Sequence, residues 1–395
     1  MIRVLLNGVY SEYNFGGPSL MHGVRELVKE VDSEYEIVYY QSSKPMDLAV
    51  KDMGFVVKQI PYVRTQIFLR DALLYKYGFK PKDKKRLEFL ADIKSADVVT
   101  NLYGICFTSK LEKGKYTYLR TIKGVIGKYA INFVAKRYGV KSVKCTASYG
   151  PITLKTDIVG ARFAAKHIFD IMFAREDESQ EQMAKIGIGK VQVTPDLANL
   201  MPYNTLGDNN KTIGISVSHQ IIRQWNSKES YIHCIVSLIN HIISSLNYKI
   251  ILIPNEITKA NPYHDLHVAK EIQSLLPNKV DVEILDVAKM SSSELKNYIA
   301  SCEVMIASRY HACVAALSAG IPTLVIGWHY KYDELLKWYD QGQWVLSSED
   351  CSSSQLITMF DRFWDSKEKN KEIIKERYIA VRKALLEAGK SMFSV

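Results

Sequence analysis

A chain of 395 residues is too long for one ordinary hydrophobic core, so two domains are expected. Its 47% hydrophobic and 24% charged residues are those of a soluble globular protein, and no apolar run approaches the ~20 residues that a membrane span needs. A formal charge of +10 leaves nucleic acid, anionic lipid and phosphorylated small molecules open as partners, but no nucleic-acid motif accompanies it.

The opening MIRVLLNGV reads as a first strand, 2–6, and not as a signal peptide, because the apolar run is short and no small-residue cleavage site follows. A turn, Asn14-Phe15-Gly16-Gly17, leads into a helix with Pro18 near its start and an apolar stripe at Leu20, Val24, Leu27, Val28 and Val31. Further strands are expected at 36–40, 55–60, 97–101, 141–147, 171–174 and 191–194. Asp177 can cap the helix that ends near Gly187. The segment 64–86 mixes large apolar side chains with clustered Lys and Arg. It reads either as a basic amphipathic surface for anionic lipid or as a core helix followed by a solvated loop. Residues 202–210, rich in Asn, Gly and Asp, look like a linker.

The second half repeats the alternation, with strands expected at 212–217, 249–253, 282–285, 304–307, 323–326 and 344–346. Two polar helices are expected in the tail from 353 to 388. The fold class is therefore α/β, with two Rossmann-like, doubly wound parallel-sheet domains facing a cleft. The expected divisions are 1–200, 201–352 and a helical tail at 353–395. The six cysteines are scattered without a C-x-x-C pair, which fits a reducing cytoplasm and suggests neither a disulfide framework nor a structural zinc.

The chemistry gathers at 303–331. Ser308 reads as a helix cap after the strand at 304–307, with Arg309 and His311 in the turn and Lys331 just past the next strand. Open α/β sheets bind ligands at such carboxyl ends. Helix amides near Tyr310 and two or three cations would there seat a small, multiply charged anion; an ion pair from Arg309 to a neighbouring loop is the alternative. The rim loops further include Ser218-His219, Pro254-Asn255, Ser148-Tyr149-Gly150-Pro151 and the Gly16-Gly17 turn. His219 and His311 are the histidines best placed to titrate. No P-loop, H-E-x-x-H or G-x-S-x-G motif occurs.

These pieces, in this order, resemble the polysaccharide pyruvyl transferase family: Gly16-Gly17, Ser148 to Pro151, Arg175-Glu176-Asp177-Glu178-Ser179, Asp196 behind Pro195, and above all Ser308-Arg309-Tyr310-His311 with Gly320-Ile321-Pro322 and Lys331. The resemblance implies a GT-B-like pair of domains, the first facing the acceptor and the second phosphoenolpyruvate. It implies transfer of pyruvate from phosphoenolpyruvate to two hydroxyls of a sugar, giving a cyclic ketal and phosphate, on cell-surface glycans that are often lipid-linked. Arg309 and His311 match the family's phosphoenolpyruvate turn. The expected roles are a bidentate contact from Arg309, His311 as acid or phosphate ligand, and His219 or a first-domain group as base. Lys331, Ser308, Tyr310, Gly16, Gly17, Asn14, Ser148 and Arg175 are expected to bind substrate. The scheme calls for no metal and no cofactor. The expected location is cytoplasmic, with peripheral contact to an anionic membrane through 64–86. The acidic residue that many relatives carry in the turn after strand one is absent here, which leaves the acceptor open. A nucleotide-sugar glycosyltransferase of the same fold is the competing reading. Against it, the second half shows no carboxylate pair placed to grip a ribose and a diphosphate, Glu303 preceding its strand.

Overall fold

The computed structural model describes residues 1–9, 14–41, 53–109, 117–204, 211–225, 230–257, 263–277, 282–349 and 351–394. Residues 10–13 of the first loop and 205–210 of the expected linker lie outside them. The first half contains β1 (Ile2–Asn7), β2 (Tyr35–Gln41), β3 (Val56–Gln59), β4 (Val98–Asn101), β5 (Ile105–Cys106), β6 (Lys141–Tyr149), β7 (Ile171–Ala174) and β8 (Val191–Val193). Its helices are α1 (Gly16–Val31), α2 (Thr65–Lys76), α3 (Lys84–Ser95), α4 (Tyr118–Lys128), α5 (Ala130–Tyr138), α6 (Lys155–His167) and α7 (Asp177–Lys185). The second half contains β9 (Thr212–Ser216), β10 (Lys249–Leu252), β11 (Val282–Ile284), β12 (Val304–Ala307), β13 (Thr323–Gly327) and β14 (Val345–Ser347). With them come α8 (His219–Ile222), α9 (Tyr231–Ser245), α10 (Asp265–Leu275), α11 (Ser292–Ala300), α12 (Tyr310–Ser318), α13 (Lys331–Trp338), α14 (Ser353–Asp365) and α15 (Lys367–Phe393).

Both sheets are parallel throughout. The first runs β3-β2-β1-β4-β6-β7-β8, with β5 added beside β6, and the second runs β11-β10-β9-β12-β13-β14. Strand order reverses at β1/β4 in the first and at β9/β12 in the second, the two places where a doubly wound sheet opens a crevice. The central strands are buried on both faces, which is why they read as short apolar runs without alternation.

Two helix starts differ from expectation. Ser308 does not cap α12, because its Oγ is paired with the Tyr231 hydroxyl at 2.9 Å; Arg309 holds the cap position with no side-chain cap bond. Asp177 lies inside the first turn of α7, and Glu176 precedes it with its carboxylate turned inward to Ser148 and Ser179.

The expected basic surface folds as α2, a short loop and α3. Phe68, Ala72 and Phe89 pack inward, while Leu73, Tyr77 and Phe79 stay exposed. Lys76 Nζ donates to the Arg137 carbonyl, just ahead of β6. The exposed end of α2 therefore sits where the strands begin, away from the crevices. Among the described residues no helix is long and apolar enough to cross a membrane.

The last helix, α15, crosses back to the first half. Ile374, Val381, Leu385, Ala388 and Met392 form its buried stripe. Gly389 lies against Leu27 of α1, and Arg382 pairs with Glu30 at 2.8 Å. One apolar core consequently runs through both halves.

Lys296 of α11 is buried at this junction, where its Nζ donates to the Met201 carbonyl and the Ser318 hydroxyl at 2.5 and 2.8 Å. Burial pulls its pKa down to about 7. Between that value and the unfolded value of about 10.4 the unfolded chain binds the extra proton, so stability rises with pH. Replacing Lys296 by Met should flatten part of the rise in urea-denaturation stability between pH 7 and pH 9.5.

Candidate functional site

The two crevices open onto one cavity of about 230 Å³ between the halves. From the first half come Gly8 and Val9 after β1, Asn14 and Gly17, Tyr103 and Gly104 after β4, and Arg175 after β7. From the second come Asn255 and Glu256 after β10, Arg309 to His311 after β12, and Trp328 with Lys331 after β13. The halves also touch directly, through an antiparallel bridge of Asn14 with Glu256. The φ of +76° at Gly8, and the 2.3 Å between a Cβ there and Asn101 Nδ2, show why a glycine must follow β1.

Seven of the expected residues meet in this wall: Arg309, Tyr310, His311, Lys331, Arg175, Asn14 and Gly17. Gly16 stands beside it for a reason that local sequence does not show. A Cβ at Gly16 would lie 2.3 Å from His311 Nδ1, so the missing side chain is the space the imidazole occupies. The Gly16 amide is bonded to Asn14 Oδ1 at 2.9 Å, which satisfies one orphan donor of α1.

Arg309 is not the open fork that its position in the turn suggests. Its Nε and Nη2 donate to the two oxygens of Asp265 at 2.8 and 2.6 Å, and its Nη1 lies 2.7 Å from Glu256. Asp265 is completely buried. It also accepts the amides of His219, Asn255 and Glu256, and its Oδ1 is 3.0 Å from His219 Nδ1. Burial alone would raise the Asp265 pKa; the Arg309 charge and the donors from His219 and Arg309 outweigh it and hold the carboxyl below its usual range. Sequence reasoning missed both carboxylates. Glu256 is one residue past a loop already singled out, and an acid opening a helix such as Asp265 reads as a dipole partner. A carboxylate pair thus does stand at a carboxyl end of the second sheet, but both members are spent on Arg309.

His219 was expected at the rim as a base. It is 2% exposed and sits behind Arg309, its ring held between Asp265 and Gln220. Ser308 and Ser148 are likewise in the layer behind the wall. Ser148 joins Arg175 Nε at 2.8 Å and Glu176 at 2.5 Å. Arg175 is fixed by Glu176 and Asp196, and its guanidinium lies 4.4 Å over the Tyr310 ring. Within the family-like string, Arg175, Glu176 and Ser179 thus belong to a buried network that orients one cation at the cavity, while Asp177 is exposed.

Lys331 and His311 differ from the two arginines. Lys331 is 7% exposed, and among the described residues its Nζ has no carboxylate partner. The rings of Trp328, Tyr332 and Tyr310 surround it at 4.5, 5.4 and 5.6 Å. Burial, with the charges of Arg175 and Arg309, pulls its pKa down to about 7. His311 Nε2 is buried with no hydrogen-bond partner among the described residues. Burial is the main cause that brings the His311 pKa down to about 4; Asp196 opposes it, and Arg175, Lys331 and Arg309 reinforce it. Of the two roles expected of His311, acid or phosphate ligand, a lowered proton affinity suits the hydrogen-bonding ligand better.

A family model described as polysaccharide pyruvyl transferase matches residues 14–330 of the chain. No curated protein matches the sequence significantly. Among solved structures, a Listeria monocytogenes protein assigned as a UDP-N-acetylglucosamine 2-epimerase is similar, with 13% identity, TM-score 0.61, and 100% of this chain and 97% of that chain covered. A UDP-GlcNAc 2-epimerase from Methanocaldococcus jannaschii gives 11% identity and TM-score 0.55, over 91% of this chain and 92% of that chain. A ugt transferase from Siraitia grosvenorii in complex with UDP gives 8% identity and TM-score 0.55, over 100% and 99%. At these identities the likeness is one of fold, that of GT-B glycosyltransferases and epimerases.

Proposed function

We propose, from the premise that this chain belongs to the polysaccharide pyruvyl transferase family, that it moves pyruvate from phosphoenolpyruvate onto two hydroxyls of a saccharide and releases phosphate. The observation that carries the reading is the ammonium of Lys331, which among the described residues has no carboxylate partner and is buried in a small cavity beside His311 Nε2, likewise without a partner among them. A buried cation without a counter-ion is unfavourable until an anion arrives. Phosphoenolpyruvate brings a carboxylate and a phosphate on three carbons, which suits a cavity of about 230 Å³ walled by two further cations. The saccharide would enter from the first half, past Asn14, Tyr103 and Gly104.

The test is phosphate release from phosphoenolpyruvate in the presence of galactose- or mannosamine-type glycosides. Consumption of a sugar nucleotide in place of phosphoenolpyruvate would overturn the reading. Arg309→Lys should lower this activity by about 100-fold, because a single ammonium cannot bridge Asp265 and Glu256 and the α12 turn loses its register.

A further inference from the structure

The reaction proposed above needs a proton at carbon, and burial weakens the hold of His311, expected as acid or phosphate ligand, on a proton of its own. In the ketal the former methylene carbon of phosphoenolpyruvate has become a methyl group, so one proton must reach it. The two saccharide hydroxyls each lose one. Of the three cations in the wall, Arg175 and Arg309 are locked by carboxylates, and a guanidinium does not give up its proton at neutral pH. Lys331 alone of the three has neither constraint among the described residues. It opens α13 directly after the β13 loop, and three aromatic rings exclude water from its ammonium while leaving it in the cavity wall.

We propose that Lys331 is the proton-transferring residue of this site, acting on the methylene carbon of the donor and then on the attacking hydroxyl. The ammonium gives its proton to the methylene carbon, and the π electrons of the enol form the new C–H bond. The adjacent carbon becomes electrophilic and takes the oxygen of the first hydroxyl. The amine left on Lys331 accepts that hydroxyl's proton and is an ammonium again. The C–O bond to phosphate then breaks, and the second hydroxyl closes the ketal while its proton leaves with the phosphate. Atoms and charge balance over the cycle without a further reactant, and one side chain is acid and base in turn.

The groups facing Lys331 set its proton affinity. Arg309, Tyr310, His311 and Cys313 face it from α12 and its turn, Arg175 and Glu176 from the end of β7, and His329 and Tyr332 from its own loop and helix. Burial and the two arginines favour the neutral amine; an anionic donor beside it favours the ammonium. Donor binding should therefore take up protons near pH 7.5, measurable by titration calorimetry in buffers of different ionisation enthalpy.

The deciding comparison is wild type against Lys331→Arg in the full chain, with donor binding followed by tryptophan fluorescence. Arginine keeps the charge but cannot release its proton, so K331R should still bind phosphoenolpyruvate while turnover falls by about 10²–10⁴-fold. Lys331→Ala should regain turnover with added alkylammonium ions, at equal ammonium concentration faster for the less basic amines, whose ammonium ions are the stronger acids. In the wild type kcat/KM should fall as pH rises through about 7, the value set for the empty site. K331R turning over at the wild-type rate overturns the assignment. So does a wild-type kcat/KM that stays flat from pH 6 to 9, or a K331A that binds donor but is not rescued by amines. The inference rests on the preceding reading, yet the two fail differently. A wild-type protein that releases no phosphate with any saccharide sinks the reading itself, whereas wild-type turnover with an unimpaired K331R sinks only the role of Lys331.

Discussion

Asp265→Asn should lose about 3 kcal/mol of unfolding free energy and about 100-fold in kcat/KM, the first from uncoupling a buried ion pair and the second from misplacing Arg309. Oδ1 of Asp265 faces the His219 amide, His219 Nδ1 and Arg309 Nη2, and Oδ2 faces the Asn255 and Glu256 amides and Arg309 Nε. Either orientation of the new amide turns its NH₂ toward groups that are themselves donors. The pH dependence separates charge from shape. The native carboxyl is held below its unfolded pKa, so its stabilisation is complete above about pH 4 and disappears as pH falls through the folded value. The penalty of D265N in urea denaturation should therefore shrink from pH 7 to pH 3. A variant as stable and as active as the wild type would remove Asp265 from its place under Arg309.

Gly16→Ala should damage the site more than the fold. Gly16 starts α1, where alanine is the better helix former, and that gain offsets part of an overpacking cost of about 1–3 kcal/mol, so the protein should still fold with a lowered melting temperature. The added methyl would nevertheless meet Nδ1, Cε1 and Cγ of His311 at 2.3, 2.6 and 2.9 Å. An aromatic ring anchored in the start of α12 cannot yield that much without leaving the cavity or pushing the halves apart. Turnover should fall by about 100-fold, the cost of roughly an ångström of misplacement. Unchanged turnover in a folded G16A would mean that His311 is not held where the structure puts it.

The parts legible in the sequence are those written in local pattern. β7 and β12 coincide with the short apolar runs expected at 171–174 and 304–307, because a strand buried on both faces favours apolar residues without alternation. The two-residue β5 left no such signal. The Arg309–His311 turn and Lys331 were visible because strand-to-helix turns mark the crevice. What could not be read was how these charges are paired. Asp265 reaches Arg309 across 44 positions and His219 across 46, so no window along the chain contains the network. The same distance hides the partner of Ser308, a hydroxyl whose obvious local use is a cap but which Tyr231 claims first. Gly16 looked like an amide cradle, and its contact with His311 exists only once the two sheets face each other.

The return of α15 to the first half makes the polypeptide a loop fastened at both ends. The helix rests on Leu27 of α1 as well as on α12 of the second half, and Lys141 reaches the carbonyl of Ser394 at 2.6 Å. Neither half could be produced alone without baring that seam to water. Any breathing of the cavity mouth must then be a flexing about this clasp, with the back edge staying shut while the front gapes.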